Sequence, residues 1–432
     1  MIKRQIPVLA FLMLLSSCGD GGAGSGGITN PPTVTPTPTP TVAANPSLVR
    51  LKAAIANGSL RTVVPIGLTV TAADSTAIPN GNFIAPNASA LRLLGGLHSF
   101  GPNSPFISAL QPQAVNVFLP QTPYGQFSGA KYGLNNGVEF ILDAGIGQFE
   151  FAYIDSGGVA NLEIEVDGKL ANETGYPITH KFDNGLKFAR VDLPVSSTPR
   201  TITIHDYFLP FAGINLPSGT RTQAQDTSKF ASIVFQGDSI SEGSAASTVT
   251  HTWVMQASRE LGIRNPINVA VGSSGYLAHR PQNATIPERI EDVTKAVAGG
   301  PPDAVVIAAG INDCSVAPPS PFPVDQVGAA SLAYFKALRA AAPNMLIFVL
   351  GPFTDYNNPN YSATSLACRD SIFAAANQVS GTYMIDVSDW VTPTNKDTVF
   401  DGYKYGPHPV DAGHAIYGHR AAISIGTILG EL

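Results

Sequence analysis

Between Val138 and Ile204 the chain alternates apolar and polar residues in short bursts. Val138, Phe140 and Leu142 form one set, Phe149, Phe151 and Tyr153 a second, Leu162, Ile164 and Val166 a third, and Ile202 and Ile204 a fourth. A period of two places each set on one face of a strand. Turn residues, Ser156-Gly157-Gly158 and Asp167-Gly168, fall between them. Short strands with turn signals between them and no long helical pattern predict an all-β, jelly-roll-like sandwich over 47–225. Only its start differs: Leu48, Val49, Leu51, Ala54 and Ile55 recur at helical spacing. The β signal ends near Leu209-Pro210, and Thr220 to Lys229 reads as a polar linker.

After Gln236 the period changes. Apolar runs at 233–235, 267–271, 304–308, 345–350 and 383–385 alternate with amphipathic stretches near 252–262, 285–298, 325–341, 363–379 and 411–429. Runs of β-branched and aromatic residues without alternation are the mark of strands buried on both faces. The βαβα order predicts an α/β domain over 226–432, a three-layer α/β/α arrangement around a five-stranded parallel sheet.

The front of the chain is of another kind. Lys3 and Arg4 precede an apolar run, Ile6 to Leu15, too short to span a bilayer, and Leu15-Ser16-Ser17-Cys18 follows. Residues 1–18 therefore read as a targeting segment. Residues 19–46 read as a tether, Gly/Ser-rich at first and Pro/Thr-alternating from Pro36 to Thr41. Of 432 residues 44% are hydrophobic, enough for more than one core, and the net charge of −6 gives no basic stripe for nucleic acid. Beyond Cys18 only Cys314 and Cys368 remain, an even pair that in an exported protein suggests a disulfide, with two free buried thiols as the alternative.

Polar clusters stand just past the predicted strand ends, where open α/β sheets hold their ligands. They are Gly237-Asp238-Ser239, then Gly272-Ser273-Ser274-Gly275, then Gly310-Ile311-Asn312-Asp313, and finally His408-Pro409 with Gly413-His414. A serine hydroxyl needs a base to become a nucleophile, and His408 can supply one to Ser239. The oxyanion formed on an ester needs donors, for which the Ser239 N–H, the N–H of Gly272 or Gly275 and the Asn312 amide are candidates. Asp238 and Asp313 read as hydrogen-bond braces. His98, His180 and His205 lack partners at metal-ligand spacing, while His251, His279 and His419 read as surface or capping residues. No Cys/His metal motif occurs, and neither do the Gly-Asn-His and Asp-x-His sets of a metallophosphatase.

In this order the blocks resemble the SGNH (GDSL) hydrolase superfamily over roughly 230–432, with Gly-Asp-Ser, Gly-x-Asn-Asp and His-Pro…Gly-His matched. The resemblance implies a flavodoxin-like fold, an acyl-enzyme mechanism and no cofactor. One departure stands out. Three residues before the histidine the family carries an aspartate, and this chain has Tyr405. A backbone carbonyl, Asp401 as a third catalytic member, or the Tyr405 hydroxyl would then orient the His408 ring. Asp411 and His414 also satisfy Asp-x-x-His, but the block fits His408 better, leaving Asp411 as the N-cap of the last helix. Cys314, next to the third block, would brace that loop through Cys368.

A β-sandwich ahead of an SGNH domain is similar to carbohydrate esterase family two, which implies O-deacetylation of a polysaccharide. A short-chain lipid or aryl esterase and an acyltransferase are the alternatives within the class, and a non-catalytic glycan-binding surface lipoprotein is the one outside it. The sandwich itself contains no tryptophan for stacking on sugars. Residues 15–18 resemble a bacterial lipobox, which implies lipidation of Cys18, and Gly19 after the cysteine implies the outer membrane, on its periplasmic side or at the cell surface. Membrane contact is then expected through the lipid anchor alone.

Overall fold

The computed structural model describes residues 45–432 except 96–97, 100–118, 121–136, 156–159, 179–182, 184, 208–210, 227–229, 280–283, 298 and 315–320. Residues 1–44, with Cys18 and nearly all of the tether, and also His180, lie outside the described residues. Among the described residues no helix is long and apolar enough to cross a membrane.

The alternating segments pair into two antiparallel sheets. One runs, in spatial order, 69–73, 186–192, 148–154, 211–216 and 82–84; the other runs 176–178, 160–166, 200–207, 137–142 and 222–223. The side chains that alternate in the sequence meet between them: Val138, Phe140, Phe149, Phe151, Leu162, Ile164, Ile202 and Ile204 are all buried in one core. Phe140 and Phe149 touch edge to face across the two sheets, with ring centres 5.4 Å apart.

The opposite face of the second sheet holds a surprise. Glu139, Glu163, Glu165, Thr203 and His205, the polar partners in the alternation, are buried as well. The α/β domain covers them: Arg264 pairs with Glu139, and Arg259 with Glu165. His205, which has no partners at metal-ligand spacing in the sequence, lies with Nε2 3.0 Å from Glu165 Oε1.

The α/β domain is built on a parallel sheet of five strands, β1 (Ile233–Gly237), β2 (Pro266–Asn268), β3 (Ala304–Ala308), β4 (Leu346–Leu350) and β5 (Thr382–Ile385), in the order β2-β1-β3-β4-β5. Both faces are apolar, so each strand divides its side chains between two cores. Ile233, Phe235, Val306 and Phe348 face one, and Val234, Val305, Ile307 and Ile347 face the other. The first core is covered by α1 (Pro46–Ile55), α3 (Trp253–Glu260) and α6 (Asp411–Glu431), which contribute Leu51, Trp253, Tyr417 and Ile425. The second is covered by α4 (Val324–Ala341) and α5 (Ala363–Ala376), through Phe335, Leu338, Cys368 and Ile372. A short helix, α2 (Ser239–Glu242), follows β1 directly.

The position of α1 moves the domain boundary expected at residue 47. Its Leu51 belongs to the α/β core, and Arg50 pairs with Asp303 just before β3. The described residues thus begin in the C-terminal domain, leave it to form the sandwich and return at β1.

Candidate active site

Ser239 is the first residue of α2. Asp238 caps that helix, its Oδ1 accepting the Ile240 N–H at 2.9 Å. The strand order reverses between β2 and β3 around β1, so the Ser239 turn sits at the crevice where such sheets bind ligands. The Ser239 hydroxyl lies 2.8 Å from Nε2 of His408, across 169 residues of sequence. His408 is held just before α6 by a loop whose backbone turns through left-handed values at Asp401 (φ 50°), Gly402 (66°), Tyr403 (71°) and Gly406 (66°). Left-handed tyrosine is rare enough to mark a constrained loop.

The hydrogen bonds fix the imidazole tautomer. Nδ1 of His408 lies 2.9 Å from the Tyr405 carbonyl oxygen. A carbonyl only accepts, so Nδ1 carries the hydrogen and Nε2 turns its lone pair to the Ser239 hydroxyl. Asp401 is not the orienting group. It ends a short helix, and its carboxylate pairs with Lys404 Nζ at 3.3 Å in an exposed position. Of the alternatives open for the ring, the backbone carbonyl is the one found.

The other blocks converge on the same turn. A Cβ placed on Gly272 would stand 3.5 Å from Cβ of Ser239 and 2.7 Å from Oε2 of Glu242, so this glycine borders the nucleophile. Gly275 does not share that place. Its N–H goes to the Ala278 carbonyl at 2.8 Å, and an added Cβ would fall within 2.3 Å of the Asp313 carboxylate. The Asn312 amide nitrogen reaches the same loop, donating to Ser274 O at 3.0 Å. Asp313 braces it, accepting the N–H groups of Tyr276, Leu277 and Ala278 at 2.8–2.9 Å. Cys314 and Cys368 are bonded to each other, with Cα atoms 6.3 Å apart, and tie the Asn312 turn to α5.

Burial raises the pKa of both brace carboxyls. It pushes the Asp238 carboxyl up to about 7, with the nearby Asp313 and Glu242 charges adding to the shift. Asp313 is raised for the same reason, against the pull of its three N–H donors. His414 is pushed down to about 4 by burial and is therefore neutral near pH 7. It accepts the Trp253 N–H at Nδ1 (3.3 Å) and donates from Nε2 to the Ser244 carbonyl (3.2 Å). It is a structural bolt between α6 and the segment after α2.

Two expectations need correcting here. Asp411 does not cap α6. The cap position is Val410, and the Asp411 carboxylate instead receives the N–H and hydroxyl of Ser247 at 2.7 and 2.6 Å. His251 is not a surface residue: its side chain is mostly buried, and its ring meets Thr248 Oγ1 at 2.7 Å and Glu173 Oε1 at 3.1 Å. His419 does lie at the surface, paired with Glu260. Glu242 beside Gly272 was missed by the sequence reading, although three residues after Ser239 it falls on the same helix face. A cavity of about 750 Å³ between the two domains is lined by Glu139, Glu165, His205, Arg259 and Arg264 among others, and neither Ser239 nor His408 borders it.

A parallel three-layer α/β domain with a serine–histidine pair at its switch point defines a hydrolase of the nucleophilic-serine kind. Residues 235–416 match the GDSL-like Lipase/Acylhydrolase family, which places the C-terminal domain in the SGNH (GDSL) hydrolase superfamily. A comparison with curated proteins finds no match. Among solved structures, the fold is similar to the salicylyl-acyltransferase SsfX3 from a tetracycline biosynthetic pathway (TM-score 0.61, 16% identity, 82% of this chain and 98% of that one). It is also similar to a family two carbohydrate esterase from Cellvibrio japonicus (0.57, 13%, 84% and 99%). A third is Est2A, an acetyl xylan esterase from Butyrivibrio proteoclasticus (0.51, 13%, 84% and 100%). These alignments span both domains, so the sandwich and the α/β layers together form the shared architecture.

Proposed function

We propose that this chain is a serine esterase that removes acetyl groups from a polysaccharide through an acyl-enzyme. The observation that carries the catalytic part is the 2.8 Å contact between Ser239 Oγ and a His408 Nε2 whose opposite nitrogen is held by a carbonyl. In the reaction, Ser239 Oγ bonds to the ester carbonyl carbon while its proton passes to Nε2. The Ser239 and Gly272 N–H groups and the Asn312 amide hold the oxyanion. The bond to the alcohol oxygen then breaks, and His408 returns the proton to that oxygen. Water repeats the sequence on the acyl-enzyme, its proton going to Nε2, and releases the acid and free Ser239.

The substrate class is supported by the likeness to carbohydrate esterases and by the surface beside His408. Tyr403 and Tyr405 are 43% and 47% exposed on the loop that ends at His408, and Tyr356 adds a third ring 5.7 Å from Tyr403. Exposed aromatic side chains on the loop that carries the base suit packing against sugar rings. Ser239 and His408 are themselves partly exposed, as an ester on a polymer requires. The likeness to an acyltransferase supports a second outcome of the same acyl-enzyme, capture by a sugar hydroxyl instead of water. The Leu15–Cys18 motif supports export and lipid anchoring at Cys18, which incorporation of labelled palmitate in the wild type but not in Cys18→Ala would test.

Acetate release from acetylated xylan, mannan, pectin and peptidoglycan tests the substrate. Release from one of the first three, abolished by Ser239→Ala, is expected. No release from any, together with turnover of longer acyl esters, overturns the deacetylase assignment. Equal background hydrolysis of p-nitrophenyl acetate by wild type and Ser239→Ala overturns the esterase assignment itself.

A further inference from the structure

The segment between α2 and α3, residues 244–252, is held from two sides. On the α/β side, Ser244 N donates to the Ser239 carbonyl at 3.0 Å. Ser247 is gripped by Asp411, three residues after His408, and His414 bolts Ser244 and Trp253 to the same helix. This segment therefore couples the nucleophile turn to the helix that carries the base.

On its other side stands the sandwich. Glu163, in the strand 160–166, is 1% exposed and turns its carboxylate onto the segment. It accepts the Thr248 hydroxyl and the Thr250 N–H, each at 2.8 Å, and also the Thr250 hydroxyl. Three donors from two residues, two hydroxyls and one backbone N–H, fix both the turn Val249–His251 and the residue before it. Glu173, also of the sandwich, meets His251 from outside and pairs with Arg61. A buried carboxylate holds such a geometry firmly, because each donor released would leave charge or a polar group unsatisfied in the interior.

We infer that Glu163 is a positioning residue for the Ser239–His408 pair, so that the sandwich is a working part of the active site. The inference rests on the esterase assignment above. Its physical content is a continuous path: Glu163 fixes Thr248 and Thr250, their neighbour Ser247 fixes Asp411, and Asp411 begins the helix whose preceding residues place His408. Serine attack depends on a sub-ångström fit of hydroxyl and imidazole, so slack in this path lowers the rate of chemistry without touching the surface that binds sugar.

The test uses the full chain with Glu163→Ala, Thr250→Val and Thr250→Ser. A core control, Val191→Ala, opens a cavity in the sandwich core at a buried residue of the other sheet, in the strand 186–192. Assays of p-nitrophenyl acetate well below each melting temperature, and labelling of Ser239 by a fluorophosphonate, supply the readouts. Glu163→Ala and Thr250→Val are expected to lower kcat about tenfold or more with KM within twofold, and to slow labelling in parallel. Thr250→Ser keeps the hydroxyl and restores the rate, and Val191→Ala lowers Tm with kcat unchanged. Wild-type kcat and labelling in Thr250→Val, or a rate loss in Val191→Ala equal to that in Glu163→Ala, overturns the inference and leaves the esterase assignment standing. If the wild type neither turns over nor labels, the esterase assignment falls and takes this inference with it.

Discussion

The carbonyl oxygen of Tyr405 stands 2.9 Å from Nδ1 of His408, in the place where an aspartate orients the imidazole in a three-membered triad. A carbonyl dipole fixes the tautomer as a carboxylate does, but it stabilises the imidazolium formed during attack with a partial charge only. Orientation is thus supplied by the backbone of a constrained loop.

The first prediction follows from that geometry. Asp401→Asn keeps a residue tolerant of the left-handed backbone found there (φ 50°) and removes only the exposed pair with Lys404. Hydrolysis of p-nitrophenyl acetate should stay within about twofold of wild type, exposed pairs being worth little. Ser239→Ala and His408→Ala should each lower kcat by about 10³-fold or more. A loss in Asp401→Asn comparable to that in His408→Ala would return Asp401 to the catalytic set.

Gly272 and Gly275 should fail in different ways. An alanine methyl at Gly272 displaces the end of the Glu242 side chain and comes into contact with Ser239 Cβ beside the nucleophile, so the protein folds while kcat falls. At Gly275 the methyl would overlap a buried Asp313 carboxylate held by three N–H groups, so stability falls by about 2 kcal/mol or more. Asn312→Ala, which removes one of the proposed oxyanion donors, should cost about 10²–10³ in kcat. Denaturant midpoints and steady-state kinetics on the same three variants separate the effects; equal behaviour of the two glycine variants would contradict the assignment.

Much of this was legible in the chain. The runs at 304–308 and 345–350 could only be strands apolar on both faces, and the four polar blocks marked the strand ends. Val269 and Val271, read as strand, instead leave the ladder after Asn268, although their N–H groups still reach the carbonyls of Phe235 and Gly237. What alternation could not reveal is where a polar face points. Glu139, Glu163 and Glu165 are the polar members of the alternation, and they are buried because the second domain lies against them with Arg264, the Thr248–Thr250 turn and Arg259. Pattern reports which residues share a face, and the identity of the neighbour is a long-range fact. The same holds for α1, whose helical spacing was plain but whose partner, the core under β1, lies almost two hundred residues away.

The Cys314–Cys368 bond closes a loop of 54 residues, which in the chain-entropy picture stabilises the fold by up to about 4 kcal/mol. Replacing both by serine should cost about 2–4 kcal/mol in denaturant unfolding and lower kcat through the loosened Asn312 turn. Thiol titration of the unreduced, unfolded protein should find neither cysteine reactive.

Two of the buried titratable groups, Asp238 and His414, bend stability against pH in opposite senses. The Asp238 carboxyl, raised to about 7 when folded, binds its proton more tightly in the folded state. Its contribution is fully present below the unfolded carboxyl value near 4 and is lost as pH rises through 7. His414, lowered to about 4, does the reverse. Its contribution is present above the unfolded imidazole value near 6.5 and is lost as pH falls through 4. Over pH 4–6.5 the two slopes, each at most about 1.4 kcal/mol per pH unit, therefore oppose one another. Asp238→Asn keeps an N-cap acceptor for Ile240 and removes the first slope, so its stability relative to wild type should rise with pH across this window. His414→Gln removes the second slope, and its stability relative to wild type should fall with pH over the same range. Urea unfolding at half-unit steps from pH 4 to 7.5, read as differences from wild type, measures both. Parallel pH curves for the three proteins would show that neither group titrates where its burial places it.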